Sequence, residues 1–374
     1  MLNTLLALPA HPCEQTLSLL FNAWRNSQSV FLYSPQLPEP VVQKWIDELK
    51  EPSNIDLFLL TSGSSGSPKL AAFRREALFE SAEIVSQALD AQSGDRWLLS
   101  IPLSHIGGLA VALRAHCSGG SLLFADKKRS QAERILSARV QFASLVPTQL
   151  YRLLKEDWSQ PIHTHLLIGG APLSQTLYQQ TIQRNLSLSL TYALTEMCST
   201  VLLTSHPFWD DDLLPYLGFP LPGREVHLSN EYELMVRGAS LFEGYGISPQ
   251  KPNWFPTGDL ALFHEQHGIK ICGRKDFQFL SGGENIQPEE IEAALLSLPE
   301  IEKAVVVPLH DEEFGARPAA YLQTSLPFQE IPIALSSLLP KLKIPIEFRP
   351  LEPSESLKPN RKKLTELINN KLLV

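Results

Sequence analysis

Residues 57–69 read LFLLTSGSSGSPK. Four apolar residues followed by a turn-rich stretch are the pattern of a short buried strand, Leu57–Leu60, that ends in a loop. The small hydroxyl residues and two glycines of that loop let backbone N–H groups close around an anion, and Lys69 adds positive charge. It is not a Walker A loop, which needs Gly-Lys-Ser/Thr, because Pro68 precedes Lys69 here. The competing reading is a Ser/Gly-rich linker. Its shortness, its place behind a buried strand and its Pro-Lys end argue for a phosphate cradle instead.

Outward from this stretch the chain alternates between two patterns. Trp97–Ile101, Ser121–Phe124, Phe142–Val146 and His165–Ile168 are short apolar runs bounded by turn or polar residues, as buried strands are. Between them Arg75–Ala88, Gln131–Ala138, Gln149–Leu154 and Ser174–Gln183 carry helical periodicity. Strand–helix alternation predicts an α/β fold with a parallel sheet. From Leu213 to Arg237 the texture shifts to short strands with Pro/Gly turns, a small β-rich region. GRKD at 273–276 marks a boundary, dividing residues 1–275 from a small α+β domain at 276–374. In the latter, 288–298 (PEEIEAALLSL) reads as a helix with Pro288 in its first turn and Glu289 and Glu290 favouring its N-terminus. Ala304–Pro308 and Ala319–Gln323 read as strands, and Ile333–Leu339 as a helix.

The 374 residues suffice for two or three domains. With 44% hydrophobic and 19% charged residues, the chain has too much apolar content and too little charge for disorder. Its formal net charge of -8 is the wrong sign for a nucleic-acid binder. No run approaches the roughly 20 apolar residues of a membrane span. The N-terminal MLNTLLALPAHPC has no basic residue before its apolar stretch, and Pro9 and Pro12 interrupt it, so a secretory signal is not expected. Cys13, Cys117, Cys198 and Cys272 have no metal-type spacing and fit free thiols in a reducing cytoplasm. Against the acidic total, residues 341–374 carry eight Lys/Arg and four Glu, a basic tail that a solvated face or a nearby anion would explain.

Further motifs follow in order: PLSHIGG (102–108), IGGAPLS (168–174), TYALTE (191–196), WFPTGDL (254–260), GRKD (273–276) and SGGENIQPEEIE (281–292). Together with TSGSSGSPK they resemble the adenylate-forming superfamily of acyl- and aryl-CoA synthetases, peptide-synthetase adenylation domains and luciferases. VRGASLFEGY (236–245), SGGENIQPEEIE and VPLHDEEFGARPAAYL (307–322) extend the likeness to its o-succinylbenzoate–CoA ligases. The resemblance implies a large ATP- and acid-binding domain followed by a mobile lid. It also implies ATP, Mg²⁺ and CoA, and a reaction in two halves. A carboxylate attacks the α-phosphate of ATP, and the CoA thiol then displaces AMP from the acyl adenylate. The rivals are another acyl- or aryl-CoA ligase, an enzyme that loads a carrier protein, and a non-catalytic nucleotide binder. Intact Lys69, Glu196, Asp259 and Arg274 speak against the last.

Each chemical demand of that reaction finds candidate residues. Thr61, Ser62, Gly63, Ser64, Ser65, Gly66 and Lys69 surround the phosphates, Thr195 contacts the α-phosphate, and Glu196 holds Mg²⁺. Asp259 accepts from the ribose hydroxyls and Arg274 donates to the same sugar, a structural ion pair being the alternative. Gly169, Gly170, Ala171 and Pro172 offer a side-chain-free edge for adenine, on which Tyr192 stacks. A lone His is more often structural, but the resemblance implies that His105 gates the acyl pocket. Arg114, in the apolar run GGLAVALRAH, is costly to bury without an anion, so either the second carboxylate of o-succinylbenzoate or a Glu/Asp of the chain must partner it. Ser199 and Thr200 are candidates to line the same pocket, and the resemblance implies that Asp276 is the hinge between the domains.

The sequence departs from the family at three places. Ala193 stands where glycine is usual in TYALTE. Arg361 stands where glycine is usual in Pro-Asn-Gly-Lys, and no arginine follows three residues later; Lys362 is assigned as the catalytic lysine, with Lys358 and Lys363 as alternatives. Only 60 residues precede the loop, which predicts a shortened N-terminal subdomain with a reduced outer sheet, open to cover by a second copy in a homo-oligomer.

Overall fold

The structure, a computed structural model, describes residues 4–49, 54–61, 68–126, 128–158, 160–210, 213–352 and 360–370. Ser62, Gly63, Ser64, Ser65, Gly66 and Lys358 lie outside the described residues.

The chain opens with β1 (Leu5–Pro9), α1 (Glu14–Arg25), β2 (Ser29–Tyr33), α2 (Glu39–Glu48) and β3 (Leu57–Thr61). The three strands pair in parallel, and β3 turns back into antiparallel β4 (Lys69–Phe73) with Thr61 opposite Lys69. Pro9 is tolerated because β1 is an edge strand. Period-two alternation makes this a two-faced sheet. Val30, Leu32, Leu57, Leu59, Ala71 and Phe73 enter the main core, and Phe31, Phe58, Leu70 and Ala72 pack under α2.

α3 (Arg75–Ala88) starts where the Asp56 carboxylate accepts the Arg75 N–H at 2.9 Å. Regular alternation follows: β5 (Arg96–Leu99), α4 (Ile106–Cys117), β6 (Ser121–Phe124), α5 (Gln131–Ala138), β7 (Phe142–Leu145), α6 (Pro147–Lys155), β8 (His165–Ile168), α7 (Gln175–Gln183), β9 (Ser187–Leu194) and β10 (Ser199–Thr204). The strands lie in the order β10-β9-β8-β7-β5-β6, parallel except for β10. α5 begins at a capping box of Ser130 and Glu133, and Ser174 caps α7 through the Leu177 N–H at 3.3 Å. The expected helix Gln149–Leu154 starts two residues earlier, at Pro147, whose missing N–H costs nothing in a first turn.

β11 (Arg224–Leu228) and β12 (Glu233–Gly238) open an antiparallel sheet; β13 (Gly244–Tyr245) leaves it to pair with β4; β14 (Phe255–His264) and β15 (Gly268–Arg274) complete it. Gly268 has φ +79, and a Cβ there would lie 1.9 Å from the Gly218 carbonyl oxygen, so no larger residue fits.

The last hundred residues form β16 (Phe279–Ser281), β17 (Glu284–Ile286), α8 (Pro288–Leu296), β18 (Ile301–Asp311), β19 (Gly315–Thr324), α9 (Ile331–Leu335), β20 (Glu347–Pro350) and α10 (Arg361–Asn370). Val306, Ala320 and Leu322 face α8 and α9, while the alternate Val305, Val307, Ala319 and Tyr321 face Ile368 of α10. The expected helix Ile333–Leu339 is a correction: α9 stops at Leu335. The Ser336 and Ser337 hydroxyls donate to the carbonyls of Ile333 and Ala334 at 2.6 and 3.2 Å, local bonds that compete with continued helix, and Pro340 ends the run. Arg152 pairs with Glu302 at 3.0 Å, and the Thr176 hydroxyl reaches the Ser297 carbonyl at 3.1 Å, so this unit rests against α6 and α7. Among the described residues no helix is long and apolar enough to cross a membrane.

Arg361, at the start of α10, is held from three sides. Its guanidinium makes bonds of 2.6 and 3.1 Å to Glu292 of α8, donates to the Val306 carbonyl and lies 4.6 Å over the Phe277 ring. Burial raises the Glu292 carboxyl despite the guanidinium, so the acid depends on its partner to stay ionised. Arg361→Ala is therefore expected to destabilise the chain by about 3–5 kcal/mol in urea unfolding, since an uncompensated carboxylate remains. The double change Arg361→Met with Glu292→Leu is expected to recover most of that loss.

Candidate functional site

Because β5, β7, β8 and β9 are parallel, their carboxyl ends share one edge, the edge at which open α/β sheets place their sites. Behind β5 lies His105, exposed, with extended backbone just before α4. Behind β8 lie Gly169, Gly170, Ala171 and Pro172. A Cβ on Gly169 would sit 2.3 Å from the Thr191 hydroxyl, so the glycine lets this loop lie close against β9. At the end of β9 stands Tyr192, followed by a 3-10 turn, Thr195–Met197, that carries Thr195 and Glu196.

The first sheet supplies the expected phosphate corner. The Thr61 hydroxyl donates to the Lys69 carbonyl at 3.3 Å, closing the hairpin on which the candidate loop hangs. The Lys69 ammonium lies 5.2 Å over the ring of Tyr245, and the Tyr245 hydroxyl donates to a carboxylate oxygen of Glu196. The Phe242 N–H donates to the Glu196 carbonyl at 2.8 Å, fixing the backbone of the turn. Burial, reinforced by the Glu196 charge, pushes the Tyr245 phenol far above its ordinary value, so it remains a donor. Among the described residues there is no cluster of three or more His, Cys, Asp or Glu that could cage a metal by itself. A lone carboxylate suits Mg²⁺, which is held by one or two carboxylates together with phosphate oxygens and water.

Asp259 on β14 and Arg274 on β15 are direct cross-strand partners. The Arg274 guanidinium donates to the Asp259 carboxylate at 3.2 Å, to the Thr257 carbonyl at 2.7 Å and to Asp276 at 3.3 Å. The Tyr192 hydroxyl donates to the other Asp259 oxygen at 2.5 Å. Tyr192 is thus tied to the expected ribose carboxylate through its hydroxyl, a contact that a stacking role alone does not supply. Burial and the Asp259 charge hold its phenol well above the usual range. The chain beyond β15 is pinned here too. Glu289 accepts the Arg274 N–H at 3.3 Å, and Gln287 donates both to the Arg274 carbonyl at 3.0 Å and to Glu289 at 2.6 Å.

Arg114 is 3% exposed inside α4. Its guanidinium donates to Ser199 at 3.1 Å and Thr200 at 3.0 Å, and its Nε has no partner. Among the described residues no carboxylate pairs with it, so the alternative of an internal Glu/Asp partner is not what the fold provides. Burial, with help from nearby Arg224, lowers its pKa to about 10. For a cation whose folded value lies below its unfolded one, the charged form weakens the fold at neutral pH, and that penalty is relieved only as pH rises past about 10. Ser199 at φ +120 and Cys198 at φ +54 occupy backbone regions costly for side-chain-bearing residues, a strain concentrated where the two hydroxyls meet the arginine.

Arg224 is a residue that sequence reasoning missed. It donates to the Thr200 carbonyl at 2.8 Å, the Pro222 carbonyl at 3.1 Å and the Ser81 hydroxyl at 3.0 Å. It braces the strand that presents Thr200 to Arg114. Nothing in the local pattern LPGREV marks it; only the tertiary fold brings Ser81 and Thr200 to it.

The expected hinge, Asp276, lies in an exposed 3-10 turn, Lys275–Phe277, and its carboxylate is held by Arg274. Lys362 stands on the exposed side of α10. Among the described residues no hydrogen bond or ion pair joins its side chain to Glu196, Asp259 or Arg274, whose described partners are one another, Tyr192, Thr257, Tyr245 and Asp276.

With this geometry in place, comparison with known proteins gives three findings. The family model described as "AMP-binding enzyme" matches residues 10–246. The 2-succinylbenzoate–CoA ligase of Escherichia coli (strain K12) is 37% identical over 73% of this chain, and that of Haemophilus influenzae is 35% identical over 82%. The matched region spans 59% of the E. coli relative and 69% of the H. influenzae one. A solved structure of E. coli MenE with bound OSB-AMS superposes with a TM-score of 0.85 at 27% identity, covering 99% of this chain and 88% of that one. Bacillus subtilis MenE in complex with ATP and magnesium gives 0.73 at 26%, covering 96% of this chain and 83% of that one. The family model's match runs through the parallel sheet, its carboxyl edge and the β3–β4 hairpin and ends before β14 and β15, and with the relatives it shows that the chain belongs to the AMP-binding enzyme family.

Proposed function

We propose that this chain is an AMP-forming acid–thiol ligase that converts 2-succinylbenzoate, ATP and CoA to 2-succinylbenzoyl-CoA. The observation that carries the choice of acid is Arg114, a buried cation held, among the described residues, by two neutral hydroxyls and no carboxylate. A guanidinium in that position favours a substrate with a second carboxylate, which would supply the missing charge and a planar bidentate partner. The relatives that the chain matches along 73–82% of its length are named for that dicarboxylic acid.

In this reading Lys69 and the loop at 62–67 hold the β- and γ-phosphates, and Thr195 meets the α-phosphate. Asp259 takes the ribose hydroxyls, with Arg274 and Tyr192 orienting its two oxygens. Gly169–Pro172 receives the adenine edge. Glu196 holds Mg²⁺, which neutralises phosphate charge as the leaving group departs. The acid's carboxylate oxygen bonds to the α-phosphorus as the bond to pyrophosphate breaks. Lys362 stabilises the negative charge shared by those oxygens. The CoA thiol sulfur then bonds to the acyl carbon, AMP leaves with the electron pair of the C–O bond, and the thiol proton is lost. In this reading adenylation brings Lys362 to the phosphates by a turn of residues 276–374 about Asp276, and thioester formation uses a second placement in which His105 borders the thiol's path. The four free cysteines suit a reducing compartment, the cytoplasm.

Incubation with ATP, CoA and a panel of mono- and dicarboxylic acids, read by mass spectrometry of the thioesters, is expected to give 2-succinylbenzoyl-CoA with the dicarboxylic acid preferred. An adenylate without a thioester would point to a different acceptor, and no adenylate with any acid would end the enzymatic reading. Arg114→Met is expected to raise KM for 2-succinylbenzoate by one to two orders of magnitude, roughly the cost of losing one partner of a buried charge pair. The same change should leave Tm unaltered or raised, because it removes a buried cation that has no counter-charge among the described residues; an unchanged KM would exclude Arg114 from acid recognition. Lys362→Ala is expected to abolish adenylation while sparing thioester formation from supplied acyl-adenylate. Retained ATP turnover in that variant, with loss in Lys363→Ala, would move the assignment to Lys363.

A further inference from the structure

Tyr245 ends the run VRGASLFEGY, where β13 leaves its neighbours in sequence and crosses to the first sheet. Its partner across the pair is Ala71, two residues beyond Lys69 on β4, so the register sets its ring beneath the lysine. The crossing is tight. Gly244 has φ +126, and a Cβ there would meet the Gln250 carbonyl oxygen at 2.8 Å. The ring is then wedged edge-on between Phe242, at 4.9 Å between centroids, and Phe255, at 6.4 Å. Thus packing, rather than its hydrogen bond, fixes which way the hydroxyl points.

We propose that Tyr245 is the positioning residue of the phosphate corner: its hydroxyl fixes one carboxylate oxygen of Glu196 and leaves the other for a cation, and its ring face holds the Lys69 ammonium until phosphate takes it. The proposal rests on the reading of Lys69 and Glu196 given above. Glu196 sits on a single 3-10 turn joined to the neighbouring segments through the Phe242 amide and the Tyr245 hydroxyl, so without that hydroxyl its side chain would be free to rotate. Groups that orient a metal-holding carboxylate in this way typically change metal affinity or activity by about 10–100-fold when removed. The ring's attraction for Lys69 is of a different kind. Cation–π contacts at exposed lysines are weak, whereas a phosphate oxygen offers a charge-assisted hydrogen bond. The ammonium is therefore kept near its working place without being withheld from the nucleotide.

The test is ATP binding measured by calorimetry across a series of Mg²⁺ concentrations and in EDTA, on the full chain. Tyr245→Phe keeps the ring and its packing and removes only the hydroxyl. It is expected to leave ATP affinity in EDTA within about twofold of the parent, and to raise the Mg²⁺ concentration for half-maximal tightening about tenfold. Tyr245→Leu is expected to show the same Mg²⁺ shift plus a several-fold weaker affinity in EDTA, from loss of the ring under Lys69. A residue that served only packing would weaken binding equally with and without Mg²⁺. Superimposable Mg²⁺ curves for Tyr245→Phe and the parent would overturn the proposal. Glu196→Gln separates the two levels of inference. If it shifts the Mg²⁺ curve and Tyr245→Phe does not, Tyr245 alone loses its role; if neither does, the reading of Glu196 falls and takes the proposal with it.

Discussion

The parallel register of β5 through β9 is the constraint from which the site follows. A parallel pair needs a crossover, and here each crossover is a helix of eight to twelve residues that returns the chain to the same end of the sheet. Every strand therefore delivers its following loop to one edge, and His105, Gly169–Pro172, Tyr192 and Glu196 gather there although ninety residues separate the first from the last. The remaining groups reach this edge from other sheets by two short crossings. β13 carries Tyr245 under Lys69 and onto Glu196, and the Tyr192 hydroxyl crosses from β9 to Asp259 of the antiparallel sheet at 2.5 Å. Both crossings use a tyrosine, whose long rigid ring spans a gap and ends in a polar atom.

The energetic peculiarity of the molecule is Arg114. A cation buried to 3% exposure, with no carboxylate against it among the described residues, is a net cost to the fold, shared by two hydroxyls and set against a second buried arginine, Arg224, whose pKa burial also lowers to about 10. Folds do not retain such a group for stability, because an apolar side chain would serve better there. The strained backbone of Cys198 and Ser199 adds a second local cost at the same place.

Much of this was legible in the sequence because it is local. The strands around LFLL, Phe142 and His165 announce themselves by short apolar runs, Ser174 by its position before a helix, and the Asp259–Arg274 pair by two motifs that fall opposite each other on one hairpin. What escaped was what only tertiary packing decides. Arg224 sits in an ordinary turn, and its partners Ser81 and Thr200 come from 143 residues before it and 24 before it. The helix Ile333–Leu339 had the right periodicity but lost to serine hydroxyls that bond to the backbone within their own turn. Pro9 interrupts the apolar N-terminal run as expected, yet it does so at the end of an edge strand that the composition alone did not disclose.

Arg361 shows how a departure from a family pattern acquires meaning. Glycine at that position would leave the start of α10 without that anchor, and Glu292 would be buried with the Val306 N–H at 2.7 Å but without its counter-charge. The arginine gives Glu292 a two-pronged partner and bridges to Phe277, the residue after Asp276. Its neighbour Lys362 is consequently presented on the exposed side of a helix whose first residue cannot drift relative to α8 and β18. If residues 276–374 turn about Asp276, that anchor moves with them, because Glu292, Val306 and Phe277 all follow residue 276. The lysine would then be carried as part of a rigid face rather than as a loose tail, which is the condition under which a single ammonium can be placed against a phosphate with useful accuracy.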